Sequence, residues 1–196
     1  MAFLPPPRSV AWSHQDARSG FEVAFFHPRR DGGYDIEGST AAAEDGRHWI
    51  VDYAITLDAA WRTRRARVTS RSGANAARST VVEADGTGRW RVDGAAAPHL
   101  DGCLDIDLES SALTNALPVH RLGLPVGARA EAPAAYVRVL DPAIERLAQS
   151  YARVPDEGSH QRFDYAAPVF DFACRLVYDA SGLVLAYPGI AVRAAD

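Results

Sequence analysis

Apolar and polar residues alternate along much of the chain, as in Phe21-Glu22-Val23-Ala24-Phe25, Trp49-Ile50-Val51-Asp52-Tyr53-Ala54-Ile55 and Phe170-Asp171-Phe172-Ala173-Cys174-Arg175-Leu176. A period of two sends successive side chains to opposite faces of a strand, so these runs predict strands with one face buried. Between them stand Asp31-Gly32-Gly33, Asp45-Gly46, Asp85-Gly86-Thr87-Gly88, Asp93-Gly94, Asp101-Gly102 and Ser181-Gly182. Such residues accept the positive φ of tight turns, and together with the alternation they describe an antiparallel meander.

Two segments break the alternation. In Glu109–Leu117, Ser110 or Ser111 offers an N-cap and Pro118 a stop, which predicts a short helix. Asp141–Arg153 joins a good helix start, Asp141-Pro142, to the helix-favouring run AIERLAQSYAR. By propensity alone it is a helix.

The segment Leu100–Leu122 carries the most chemistry. Read as a strand, it places Cys103, Asp105, Asp107 and Glu109 on one face and Leu104, Ile106 and Leu108 on the other. The carboxylates either meet water on a half-exposed strand or line an interior, where each needs a cation or hydrogen-bond donors to offset desolvation. Cations stand in Trp61–Arg71, with Arg62 and Arg64 on one strand face and Arg65 and Arg67 on the other. At least one of those pairs must face solvent, a polar interior or a bound anion.

The 196 residues suffice for one domain with a sizeable core. Of the 47% hydrophobic residues, thirty-six are alanine, so the core is lean. All 21 basic residues are arginine, and against 25 acidic ones the net charge is −4, which argues against a nucleic-acid binder. Uncharged stretches such as Gly182–Val192 are interrupted by Pro188 and Gly189 and fall short of the ~18–20 apolar residues of a membrane span. The start, MAFLPPPRSVAW, has prolines where a signal peptide needs an apolar helix, so a cytoplasmic protein is expected, with residues 1–8 as an irregular tail. Cys103 and Cys174 read as buried thiols, and the six histidines lack ligand spacing, so neither metal nor cofactor is expected. No nucleophile elbow, phosphate loop or dinucleotide fingerprint is present.

Several pieces taken together resemble a known family. They are Trp61-Arg62-Thr63-Arg64, Gly88-Arg89-Trp90 with Asp93-Gly94, Leu100–Leu122, Gln149-Ser150-Tyr151, Asp179-Ala180-Ser181-Gly182-Leu183-Val184, Tyr187-Pro188-Gly189 and Arg193. In this combination the chain resembles, from about Trp49 to Arg193, the bacterial family called putative glycolipid-binding. It departs from the family pattern at Ala112, Ala116 and His120, where Pro, Thr and Arg are usual. The resemblance implies a mostly β fold: a strongly curved antiparallel sheet closed as a single-domain barrel, residues 1–196, around one short helix, similar in outline to lipoprotein carriers. It further implies that Asp141–Arg153 is largely strand, that Thr114-Asn115 and Pro118–Leu122 belong to the enclosed helix and its exit, and that Asp105, Asp107 and Arg121 form a network with Arg62 or Arg64.

A glycolipid or fatty-acyl ligand between barrel and helix follows from that resemblance. Such a site needs an apolar wall, for which Trp61, Trp90, Tyr151 and Tyr187 are candidates, and convergent polar groups, for which Arg62, Arg121, Asn115 and His120 are candidates alongside Asp105 and Asp107. Two alternatives stay open. One is an enzyme using Asp105, Asp107 and His120 on a small polar substrate; the other is a fold filled by its own helix, with no ligand. In each case the helix must bury Leu113 and Leu117, worth ~1.5–3 kcal/mol apiece.

Overall fold

The computed structural model describes residues 3–16, 18–73, 75–140 and 143–194. Strands dominate it. The first half is a run of hairpins: β1 (Ser9–His14), β2 (Ser19–Pro28), β3 (Tyr34–Glu44), β4 (Arg47–Leu57), β5 (Thr63–Ser72), β6 (Asn75–Ala84), β7 (Trp90–Val92) and β8 (Ala95–Ala96). The turn signals act as expected: Asp45-Gly46 and Asp93-Gly94 both adopt positive φ at each residue, the conformation a two-residue hairpin requires. β9 (Asp105–Leu108) follows, then the enclosed helix, and then β10 (Arg129–Glu131), β11 (Ala134–Val137), β12 (Ile144–Leu147), β13 (Ser150–Glu157), β14 (His160–Ala167), β15 (Phe172–Tyr178), β16 (Val184–Tyr187) and β17 (Ala191–Arg193).

Fourteen strands form one sheet in the order β10-β13-β14-β15-β16-β17-β1-β2-β3-β4-β5-β6-β7-β8, every neighbouring pair antiparallel. β17 pairs with β1, so the two ends of the chain are neighbours in the sheet. The expected closed barrel is not formed. β8 and β10 are the two edges of the ladder and no hydrogen bonds join them, so the molecule is built on a large curved antiparallel sheet that stays open. Its edges are strands of two and three residues, followed by Pro98 and Pro133, which cannot donate to a continuing ladder.

A smaller sheet, β12-β11-β9, has β9 parallel to β11. It is tied to the large sheet at β5, where Thr63 N–H donates to Leu104 O (3.0 Å) and the Thr63 hydroxyl accepts from Ile106 N–H (3.0 Å).

A 3₁₀ turn, Leu113–Asn115, leads into α1 (Ala116–Leu122), which runs past the Glu109–Leu117 read from local signals and takes in the Pro118–Leu122 that the family resemblance implies. Leu113 and Leu117 are fully buried on it. The signals that predicted its ends act differently. No side chain caps it, and Pro118 lies third in α1, where a missing N–H costs nothing because the first turn has no intrahelical acceptor to meet. Gly123, at φ 53°, ends it.

The helical propensity of Asp141–Arg153 is overridden, as the family resemblance implies; Asp141-Pro142 itself lies outside the described residues. Ile144 and Leu147 point inward from β12, and Tyr151 from β13 is wholly buried, so pairing and burial outweigh local preference. Phe170, expected to begin a strand, ends a 3₁₀ turn instead, and Asp171 takes a left-handed conformation before β15 begins. Cys103 and Cys174 are both free thiols.

Candidate functional site

The acidic face of β9 turns inward. Asp105, its side chain 1% exposed, receives both Nε and Nη2 of Arg121 (3.0 and 2.6 Å), and the Arg121 side chain is 13% exposed. Burial pushes the Asp105 carboxyl up while the Arg121 fork pulls it down. Asp107 instead receives the Thr114 hydroxyl (2.8 Å), a hydrogen bond from the turn that starts the helical segment. Burial, with the like charges of Asp105 and Glu109, pushes Asp107 up to about 6. The expected partnership with Arg62 or Arg64 is absent. Both arginines turn to Asp58, at 3.0 and 3.8 Å, because that carboxylate anchors the β4–β5 turn beside them and also accepts from the N–H groups of Ala60 and Arg62.

Beside this pair lies a cavity of about 250 Å³. Alternation along β14 brings Tyr165 and Ala167 to its wall, Phe172 arrives from β15, and Tyr187 stands at the end of β16. Phe170, 45% exposed, stands at its rim. Against these rings come Asp107, Glu109, Asn115, Tyr136 and Arg18. Asn115 is held in place by tyrosines: its side-chain oxygen accepts from Tyr151 OH (2.9 Å), its carbonyl from Tyr178 OH (3.1 Å), and Tyr187 bonds its side chain as well. Burial holds the tyrosine hydroxyls protonated far above neutral pH, so Tyr151 and Tyr178 act as donors throughout, while the Tyr187 oxygen accepts from the Asn115 amide.

Of the residues proposed from sequence, Asp107, Asn115 and Tyr187 meet at this cavity, Tyr151 bonds Asn115, and Asp105 and Arg121 pair with each other away from its lining. The others lie elsewhere. Trp90 is core, its indole N–H donating to Cys103 O (2.9 Å). Trp61 stacks on His120 with ring centroids 3.5 Å apart, and both line a second hollow of about 640 Å³ with Phe3 and Arg153. The charged groups and the histidine there already have partners: His120 Nε2–H donates to Ser181 O (3.0 Å), and Arg153 pairs with Asp156. Burial drives His120 down to about 4, so its ring is uncharged near neutral pH. Its bond goes to a carbonyl and those of Asp105 and Asp107 to Arg121 and Thr114, so the acid–base group proposed from sequence is not assembled. Among the described residues no cluster of His, Cys, Asp and Glu is arranged to hold a metal ion, and no helix is long and apolar enough to cross a membrane.

Two buried side chains at or near the cavity escape a reading of the sequence. Glu22 is completely buried, because β2 turns Glu22, Ala24 and Phe26 inward and leaves the apolar Phe21 and Phe25 exposed. It accepts from Tyr53 OH (2.7 Å), Ala112 N–H (2.7 Å) and the Ser111 hydroxyl, fixing the entry to the helical segment. Arg18, just before β2, projects to the cavity with its side chain 7% exposed. A carboxylate inside an otherwise apolar alternation is the one signal for Glu22. Nothing local marks Arg18.

The elevated Asp107 value has a measurable consequence. The folded protein holds this proton up to about pH 6 and the unfolded chain releases it near 3.8, so the group's contribution to stability falls as pH rises from about 4 to 6 and is level above. The loss is roughly 3 kcal/mol at 1.36 kcal/mol per unit. Denaturant melts of the wild type and Asp107→Asn from pH 4 to 7 should therefore show the variant gaining relative stability across that window; a constant difference would mean that Asp107 is ionised in the fold.

A family model described as "Putative glycolipid-binding" matches residues 9–193. Among solved structures, a DUF1089 family protein from Pseudomonas aeruginosa is 31% identical, with a TM-score of 0.72 over 97% of this chain and 95% of that one. A second, from Brucella abortus, is described as a beta-barrel-like protein of domain of unknown function DUF1849. It is 12% identical, with a TM-score of 0.50 over 98% of this chain and 96% of that one, a likeness of fold alone. No curated protein matches the chain.

Proposed function

The chain belongs to the putative glycolipid-binding family, and from that premise we propose that it binds one small amphiphile in the cavity between the helical segment and strands β14–β16. One observation carries the reading. Polar groups, Arg18, Asp107, Glu109, Ser111 and Asn115, converge on a hollow whose remaining wall is aromatic and aliphatic, which is the general anatomy of ligand sites. Its volume of about 250 Å³ suits a head group with the first carbons of a chain, and the rest would lie across Phe170 and Phe172 at the rim. Asn115, Asp107 and Tyr187 would touch the ligand; Tyr151 would hold Asn115 in place and Thr114 would hold Asp107. The pairing of β17 with β1 supports treating the chain as one domain.

Native mass spectrometry of protein purified from its own host tests the reading. A one-to-one complex carrying the mass of an amphiphile is expected, and Ala167→Leu, which fills part of the cavity, should abolish it. A bare chain in both preparations would favour a fold without a ligand of its own.

A further inference from the structure

We propose that the Arg18 guanidinium recognises an anionic group, a carboxylate or a phosphate, at the head of an amphiphile seated in this cavity; the inference rests on the binding reading above and names the chemistry of its ligand. Arg18 is built into the fold yet left incomplete. Its side chain is 7% exposed, and among the described residues neither Nε nor Nη1 meets a hydrogen-bond acceptor. Glu44 Oε1 lies 3.8 Å from Nε, close enough for attraction but beyond hydrogen-bond reach, and that carboxylate is 32% exposed. The guanidinium carbon lies 5.3 Å from the centroid of the Trp49 ring, which fixes the group in place without occupying a single N–H. Burying a cation with unmet donors is costly, so such a group is retained where something else completes it.

The chemistry of the missing partner follows from the donor. A guanidinium is a planar fork that matches a carboxylate or phosphate, and hydrogen bonds between ions are about twice as strong as neutral ones. A sugar hydroxyl could accept one bond but would bring no charge to a fork whose one counter-charge named here, Glu44, stays 3.8 Å away. Two carboxyls also face the cavity. Glu109 accepts from Val139 N–H (2.7 Å), and Asp107, pushed up to about 6, is protonated below that pH, so an anion should bind more tightly in acid. Tyr136, on the same cavity, keeps its hydroxyl proton far above neutral pH and stands ready as a second donor. His14, near Arg18, is driven down to about 4 by burial and by Arg18 itself, so it adds no competing cation.

Calorimetry on the full chain, with decanoate, decyl phosphate, decyl β-glucoside, acetate and inorganic phosphate as probes, separates the possibilities. Decanoate or decyl phosphate should bind at least tenfold more tightly than decyl β-glucoside. Arg18→Gln should remove at least tenfold of that affinity, and Arg18→Lys, which keeps the charge, should recover part of the loss. Equal binding of glucoside and anionic probes, unchanged in Arg18→Gln, would overturn the anionic assignment and leave the amphiphile reading standing. Acetate or phosphate binding as tightly as its decyl counterpart would keep the anion at Arg18 but refute the amphiphile. Absence of binding by all five probes would defeat both. The selectivity of the wild type decides the matter even if a variant fails to fold.

Discussion

Replacing Arg121 with alanine is expected to cost roughly 3–5 kcal/mol of stability, because it strands the Asp105 carboxylate in an interior where that side chain is 1% exposed. The reverse change, Asp105→Ala, should cost less than that, since the Arg121 side chain keeps 13% of its exposure and can draw on water. The pH dependence fixes the sign. Burial already pushes the Asp105 carboxyl up, and loss of the guanidinium removes the force that opposes this. The Arg121→Ala penalty should therefore be smallest in acid, where the carboxyl is protonated in both states, and should grow as pH rises. A double-mutant cycle in denaturant should return a substantial coupling between the two residues, because the double variant leaves no unpaired charge. Single-variant losses below about 1 kcal/mol would instead place the pair with solvated surface ion pairs.

A loss of similar size, roughly 3–5 kcal/mol, is expected for Glu22→Ala. Three donors, Tyr53 OH, Ser111 OH and Ala112 N–H, would lose their acceptor in a buried site, and each unsatisfied group costs about 1–3 kcal/mol before the relief of removing a buried carboxylate is counted. The arrangement depends on a neighbour in β3: a Cβ at Gly38 would lie 2.3 Å from the ring of Tyr53, so glycine leaves the path by which Tyr53 reaches from β4 across β3 to Glu22 in β2. Glu22→Gln keeps one acceptor oxygen and lets the hydroxyls turn toward its amide, so it should cost only about 1–2 kcal/mol. Thermal and denaturant melts order the variants. If Gln proves as damaging as Ala, charge rather than hydrogen-bond capacity holds the helix entry.

Much of the fold was legible because alternation and turn chemistry are local. The runs around Phe21 and Trp49 became β2 and β4, and the Asp-Gly pairs became turns with positive φ. Closure was not legible, since it depends on whether two distant edges, β8 and β10, meet; short strands followed by prolines keep them apart. The helical segment was placed correctly, but Ser110, Ser111 and Pro118 do not cap or stop it, because Ser111 is drawn to Glu22 and the carbonyl of Ser110 to the Thr40 hydroxyl. Period two in β9 identified the acidic face, and only the tertiary fold could say that the face turns inward. The same limit divided the candidate ligand residues. Asn115, Asp107 and Tyr187 share a cavity, whereas Trp61 and His120 stack at another hollow and Trp90 is packed into the core. Arg18 could not be found from its neighbours in sequence, because its importance comes from Trp49 and the cavity, neither of which is local to it.

The central claim is that the cavity beside Asn115 holds an amphiphile. Mapping amide and side-chain shifts by nuclear magnetic resonance during titration with decanoate tests it most directly. Saturable shifts centred on Arg18, Asp107, Asn115, Tyr136, Phe170, Phe172 and Tyr187 are the predicted result. Shifts centred instead on Trp61 and His120, or none at saturating decanoate, would contradict it.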